Sequence, residues 1–220
     1  PTVMQFIDLE KFIDDYNQKL GRPNTKWEDL TISHTARNSL INSSSDKYYS
    51  FLSDLKQWAG DSKRQLRIID QNSFDITLKP YTELNDDDFD PIEIYAYYLG
   101  LYINNMRNGI YLDYLLSFPV TYEMATREKI IESFKRGIKK SLPVTILQNE
   151  EIMENFSVEA GASEPAAYAI CALTEYGFDP EEGEGVFYGV FDFGGGTTDF
   201  DFGLFRAAEG REQRRFDYVI

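Results

Sequence analysis

The sequence has very few of the residues on which metal and disulfide chemistry usually depend. Its 220 residues include one cysteine, Cys171, and one histidine, His34. A single cysteine excludes an internal disulfide, and this histidine has no cysteine or second histidine to share a metal with. We therefore expect Cys171 to be a small buried residue on a helix and His34 to have a structural role.

Positive charge and long apolar runs are also scarce. Lys and Arg number 22 against 37 Asp and Glu, which gives a net charge of −15. Nucleic-acid binding depends on basic side chains that neutralise phosphates, so we expect no nucleic-acid partner. No stretch reaches the roughly 18 apolar residues that would span a bilayer, and no signal peptide is visible. We expect a cytoplasmic protein with no membrane partner.

Periodic apolar patterns that alternate between helix and strand fill the rest of the chain. Helical patterns cover residues 9–20, 30–40, 48–58, 92–108, 124–138 and 166–176. Strand patterns cover residues 3–7, 66–70, 74–78, 111–118, 144–147 and a hairpin over 186–205. The continuous apolar run at 111–118 predicts a strand buried on both faces. The alternation in the second half favours an α/β protein with a layered sheet.

The hairpin at residues 186–205 has a tip suited to phosphate. The tip contains three glycines and two threonines, Gly194, Gly195, Gly196, Thr197 and Thr198. Backbone N–H groups of glycines can close on an anion, and threonine hydroxyls add donors. Asp192 and Asp199 flank the tip and would repel a phosphate unless a cation lies between them, which favours a Mg²⁺–nucleotide site. The alternative, a tip that only turns the chain, stays open.

Five segments, taken in chain order, resemble the nucleotide-binding domain of the seventy-kilodalton heat-shock (DnaK-type) chaperones. This family belongs to the actin/sugar-kinase/chaperone ATPase superfamily. The segments are residues 1–6 (PTVMQF), 53–60 (SDLKQWAG), 118–127 (FPVTYEMATR), 163–169 (SEPAAYA) and 192–199 (DFGGGTTD). Each match is short, but the five occur in the family's order and spread over nearly the whole chain.

The resemblance implies an α/β, actin-like ATPase (ribonuclease-H-like) fold that is present in part, as one lobe and the first hairpin of the second. It divides the chain into a small upper subdomain (residues 1–89), a core subdomain (90–183) and the start of the second lobe (184–220). The family's first phosphate loop, D-x-G-T-T, and its adenosine site have no counterpart in the sequence. We therefore expect these 220 residues alone neither to hydrolyse ATP nor to bind it tightly.

The resemblance also implies roles for individual residues. Lys56 matches the lysine that reaches the γ-phosphate and the attacking water, and Glu164 matches the glutamate that orders water around the metal. Asp192 and Asp199 match the aspartates that hold Mg²⁺, largely through water, and position the nucleophilic water. The implied catalytic set is Lys56, Glu164, Asp192, Thr197 and Asp199. The implied phosphate loop is Gly194, Gly195, Gly196, Thr197 and Thr198.

Two further positions match residues that relay the nucleotide state to a partner domain. They are Pro119 and Arg127, although Thr121 stands between them where the family has tyrosine. The function implied is an ATPase that couples hydrolysis of Mg-ATP to lobe movement, with ATP or ADP and Mg²⁺ as cofactors. Its partners are peptide or protein clients, bound through a domain outside this chain, and co-chaperones.

Three alternatives share parts of the same signature. An actin-like filament or cell-division ATPase has the Glu-Pro and Gly-Gly-Gly-Thr segments but lacks the lysine segment around Lys56. A catalytically silent interaction module of the same fold is the second. A sugar kinase is the third and the weakest, because the sequence has no sugar-site signature.

Overall fold

Helices and short strands alternate along the chain in the computed structural model. It describes residues 1–181, 184–193, 198–207 and 215–218, apart from the side chains of Asp192 and of residues 215–218. The fold is mixed α/β, and its strands form small sheets. The chain divides into two compact units: unit 1 is Pro1–Tyr114 with Glu123–Glu159, and unit 2 is Leu115–Tyr122 with Ala160–Ile220. The three-part division expected from the sequence stays a prediction.

Unit 1 is built mainly from helices around two small antiparallel sheets. The first sheet has the order β2-β1-β3 and contains β1 (Met4–Phe6), β2 (Leu30–Ile32) and β3 (Phe51–Leu52). The second is the hairpin of β4 (Leu66–Ile69) and β5 (Asp75–Leu78). The helices are α1 (Leu9–Asn17), α2 (Ser33–Ile41), α3 (Leu55–Gly60), α4 (Pro91–Met106), α5 (Met124–Ser141), α6 (Val144–Leu147) and α7 (Glu150–Met153), with 3₁₀ turns at Ser45–Ser50 and Tyr81–Glu83.

Helices α4 and α5 pack closely because small residues lie where they meet. A Cβ placed on Gly137 would come within 2.1 Å of the Glu93 carbonyl oxygen. Helix α4 begins with a side-chain cap: the Asp90 carboxylate accepts the N–H groups of Ile92 and Glu93, and Pro91 occupies the first helical position. Asp90 also accepts hydrogen bonds from Ser133 (2.5 Å) and Arg136 (3.0 Å) on α5, so the helix cap and the helix packing share one buried carboxylate.

In unit 2 a helix packs on one face of a three-stranded antiparallel sheet. The elements are α8 (Glu164–Glu175), β8 (Gly185–Phe193), β9 (Thr198–Arg206) and β10 (Arg215–Tyr218), with sheet order β10-β9-β8. The small core joins Ala169 of α8 to Tyr188 and Phe205 of the sheet. Strands β6 (Asp113–Phe118) and β7 (Ser157–Ser163) pair with each other.

The predicted helices over 92–108, 124–138 and 166–176 and the two predicted hairpins are confirmed, whereas three short predictions were wrong over part or all of their length. In the predicted helix over 30–40, residues 30–32 form β2 instead, because they pair with β1, and the helix begins at Ser33. Residues 48–58 do not form one helix, because Phe51–Leu52 pairs with β1 and breaks the segment. Residues 144–147 form a helical turn, not a strand. Pro143 precedes that turn, and its carbonyl accepts the N–H groups of Ile146 and Leu147.

Three predictions about burial and layering were also wrong. Strand β6 alternates between exposed and half-buried residues over most of its length, so it is not buried on both faces, and among the described strands it pairs with β7 alone. The strands described in the second half form separate small sheets, not one layered sheet. Cys171 is exposed, because α8 directs Ala166 and Ala169 inward and Cys171 lies on a different side of the helix.

No helix in the described part of the chain is both long enough and apolar enough to cross a membrane.

Candidate functional site

The hairpin of β8 and β9 brings two aspartates opposite each other. In the antiparallel register Asp192 pairs with Asp199, and Phe193 pairs with Thr198. Directly opposed residues have Cβ atoms about 4.5–5.5 Å apart, and like charges in such positions destabilise a sheet. The predicted phosphate loop between these strand ends, Gly194, Gly195, Gly196 and Thr197, lies outside the described residues. Thr198 is exposed at the start of β9.

Asp199 is buried within the hairpin. It is 3% exposed, whereas Asp201, two residues further along the same strand, is half-buried and accepts a hydrogen bond from the Tyr188 hydroxyl at 3.1 Å. A carboxylate taken out of water is unfavourable unless a cation or hydrogen bonds compensate for the lost hydration. The backbone register thus places a buried carboxylate across the hairpin from a second aspartate.

Glu164 is the first residue of α8. The Ser163 hydroxyl accepts the N–H of Ala166 at 3.3 Å and caps the helix, and Pro165 follows Glu164 in the first turn. An acidic side chain in the first turn interacts favourably with the helix dipole. The local sequence Ser-Glu-Pro thus fixes Glu164 at a helix start.

Tyr122 is a buried phenol under the influence of two acidic residues. Burial, and with it the negative charges of Glu164 and Asp199, raises the pKa of Tyr122 to about 12. The three residues come from separate segments of unit 2. In the sequence, the one signal for Tyr122 is its place in the 118–127 segment.

The remaining predicted residues divide between the two units. Lys56 is half-buried on α3, and Arg127 is half-buried on α5, both in unit 1. Pro119 is buried in unit 2, directly after β6. The structure therefore gathers Glu164, Asp199 and the backbone of Asp192 in one unit, while the roles of Lys56, Arg127 and Pro119 stay predictions.

Within the ranges described, no group of three His, Cys, Asp or Glu side chains is arranged to hold a metal ion, and the Asp192 side chain falls outside that search. No protein-family model and no curated protein matches this sequence.

Proposed function

We propose that this chain carries the phosphate-binding hairpin of a chaperone-type, Mg-ATP-dependent ATPase with an actin-like fold. The observation that carries the proposal is the register pair Asp192 and Asp199, at the strand ends beside the glycine-rich tip. Glu164 adds a third acidic residue from the same unit. We infer the chaperone class, its peptide clients, its co-chaperones and a cytoplasmic location from the resemblance of the five segments.

The acidic pair fits Mg²⁺ in its chemistry. Mg²⁺ is usually bound through one or two carboxylates, water and substrate phosphates, and Asp192 and Asp199 would hold it, largely through water. When bound, the ion neutralises charge on the phosphates. The same ion would offset the repulsion between the two opposed aspartates. The glycine N–H groups and threonine hydroxyls would donate hydrogen bonds to the phosphate oxygens.

The protein's own groups would position water and exclude bulk solvent. Phosphoryl transfer depends on positioning and charge stabilisation more than on covalent help from the protein. Asp199 is buried, so its carboxylate is held in place before the nucleotide arrives. The phenol of Tyr122 is protonated at neutral pH, and its raised pKa keeps the proton there well into the alkaline range, so the group has an O–H to donate. For Lys56 the resemblance implies the role of the lysine that reaches the γ-phosphate.

The test is a calorimetric titration of Mg-ATP into the protein expressed from its complete reading frame, with the 220-residue chain alongside. We expect binding by the complete protein and a loss of about 10- to 100-fold in affinity for Asp199→Asn, as for other groups around a metal. Asp201→Asn is the matched control on the same strand and should bind normally, since an amide oxygen can still accept from Tyr188. No heat from the complete protein, or equal losses in both variants, would contradict the proposal.

A filament-forming ATPase is the second candidate, favoured by exposed phenylalanines on β8 and β9. Five of them are between 42% and 82% exposed, namely Phe187, Phe191, Phe193, Phe200 and Phe202. An apolar face of this kind often marks an interaction surface. Sedimentation of the complete protein with and without ATP separates the candidates, because a filament pellets in a nucleotide-dependent way and a chaperone does not.

A further inference from the structure

Unit 1 contains a cleft of about 1170 Å³ that the proposed ATPase does not use. It lies between residues 22–35 and the part of α4 and its following loop at residues 95–110. We call it the aromatic cleft, because Trp27, Tyr95, Tyr98 and Tyr102 line it. Its volume is sufficient for a small organic ligand.

The lining contains three asparagines. Asn104 is 5% exposed, and its side-chain oxygen accepts the Tyr111 N–H at 2.9 Å. Its buried Nδ2 faces the Tyr114 hydroxyl, and a hydrogen bond from Asn104 opposes the rise that burial causes in the Tyr114 pKa. Asn104 therefore belongs to the wall of the cleft. Asn105 and Asn108 are exposed in the lining, and their amide groups can donate to a ligand.

The charges of the lining also favour an acceptor-bearing ligand. The chain has 37 acidic residues, yet none is among the described residues that line the cleft, whereas Arg22 and His34 both are. A cation therefore finds no carboxylate partner in the lining. An anion finds a guanidinium and several amides.

Aromatic rings and a guanidinium occur together in the lining. The Tyr98 hydroxyl donates to the Leu30 carbonyl at 3.2 Å, and the Tyr97 hydroxyl shares a 2.8 Å hydrogen bond with Thr25, so both rings are fixed against residues 22–35. A planar ring with a carboxylate needs apolar contact for the ring and a positively charged donor for the carboxylate, which the aromatic side chains and Arg22 supply.

Residues with positive φ angles are concentrated in the lining of the aromatic cleft. The described chain has four non-glycine residues with positive φ, and three of them line the cleft: Arg22 (46°), Ser33 (60°) and Asn108 (50°). Such conformations cost free energy and tend to cluster at binding sites.

We propose that the aromatic cleft binds a small aromatic carboxylate. The ring packs among the aromatic side chains, and the carboxylate accepts hydrogen bonds from the basic and amide groups of the lining. The proposal is independent of Mg-ATP, since every residue on which it depends lies in unit 1.

The test is a titration of the 220-residue chain with phenylacetate and 4-hydroxyphenylacetate, followed by calorimetry and ligand-observed NMR. Benzylamine tests a cation on a similar ring, and methyl glucoside tests a sugar. We expect the two carboxylates to bind and the other two compounds not to bind. Failure of both carboxylates to bind, or preference for the amine or the sugar, would overturn the proposal.

Two pairs of variants locate the binding. Tyr102→Ala should weaken it about tenfold through loss of an aromatic contact, while Tyr48→Ala, similarly exposed (64% against 61%) and outside the cleft lining, should not. Arg22→Gln should weaken it and Arg37→Gln, an exposed arginine outside the lining, should not. Equal effects within either pair would show that the compounds bind elsewhere.

Discussion

The two compact units differ in the burial of their aromatic side chains. In unit 1 the largest side chains are fully buried, among them Trp58, Tyr81 and Tyr97. In unit 2 the sheet packs Tyr188 and Phe205 against α8 and turns five phenylalanines outward. Side chains of a strand alternate between faces, so a hairpin with a helix on one face leaves the other uncovered by that helix. Aromatic residues of unit 1 therefore form a core and line the aromatic cleft, while most phenylalanines of the β8–β9 hairpin in unit 2 form an exposed face.

The two units also differ in the surroundings of their buried acidic residues. Asp90 in unit 1 is surrounded by donors, namely two backbone N–H groups, Ser133 and Arg136. Asp199 in unit 2 is paired in register with another aspartate and adds to the negative charge near Tyr122. The donors around Asp90 stabilise the fold, whereas the position of Asp199 across from a second aspartate is the basis of the cation site proposed above.

The largest effect should come from the core of unit 1. Trp58→Ala removes a fully buried side chain and should lower the free energy of unfolding by about 3–5 kcal/mol, measured by urea denaturation followed by circular dichroism. Trp58→Phe is the control. It should cost much less, because the Trp58 indole N–H is buried without a partner in the described structure. Equal losses would contradict the buried-core assignment.

The second-largest effect on stability should come from removing the Asp90 cap of α4. Asp90→Ala leaves Arg136 without one of its partners and removes the cap of α4, so we expect a loss of about 3 kcal/mol in unfolding free energy. Asp86 also faces Arg136, at 3.9 Å, but its side chain is 98% exposed. Asp86→Ala should therefore change stability by less than about 0.5 kcal/mol. Similar losses for both would refute the contrast between buried and exposed pairs.

Tyr122 should make the free energy of unfolding depend on pH in the alkaline range. The pKa of Tyr122 is raised from 10.0 to about 12 in the folded protein. The neutral phenol is thus favoured by folding, and this stabilisation is complete below pH 10 and lost as the pH rises through 12. As the pH rises through this range, the free energy of unfolding of Tyr122→Phe should therefore fall by about 2–3 kcal/mol less than that of the parent chain. Parallel pH profiles of unfolding for the two proteins would contradict this.

The smallest effect on stability should come from the exposed face of the β8–β9 hairpin. Phe191→Ser changes a residue that is 67% exposed, so the unfolding free energy should shift by no more than about 0.5 kcal/mol. Binding of a hydrophobic dye should fall in the same variant. A loss above about 2 kcal/mol would mean that Phe191 belongs to a core.

Strong local signals explain which parts of the fold could be predicted. Asp90 followed by Pro91 marks the start of α4, and the glycine-rich segment after an apolar run marks the hairpin. Residues 48–58 and 144–147 were assigned wrongly because their short apolar patterns fit helix and strand alike, and pairing with β1 or the turn after Pro143 decided the outcome.

Only those residues of the candidate site that lie in a short sequence motif could be predicted. Glu164 and Asp199 follow from short segments, but the place of Tyr122 beside them depends on folding that joins distant parts of the chain. The aromatic cleft has no local signature for the same reason, since its walls come from residues 22–35 and 95–110.

The most direct test of the central claim, that the Asp192–Asp199 pair favours a cation, is thermal unfolding of the 220-residue chain in MgCl₂ and in NaCl of equal ionic strength. Mg²⁺ should raise the midpoint by about 2–4 °C, which corresponds to about 1 kcal/mol in a chain of this size. Asp199→Asn should abolish that rise, and Asp201→Asn should keep it. The claim is contradicted if Mg²⁺ acts no differently from NaCl, or if Asp199→Asn responds as the parent chain does.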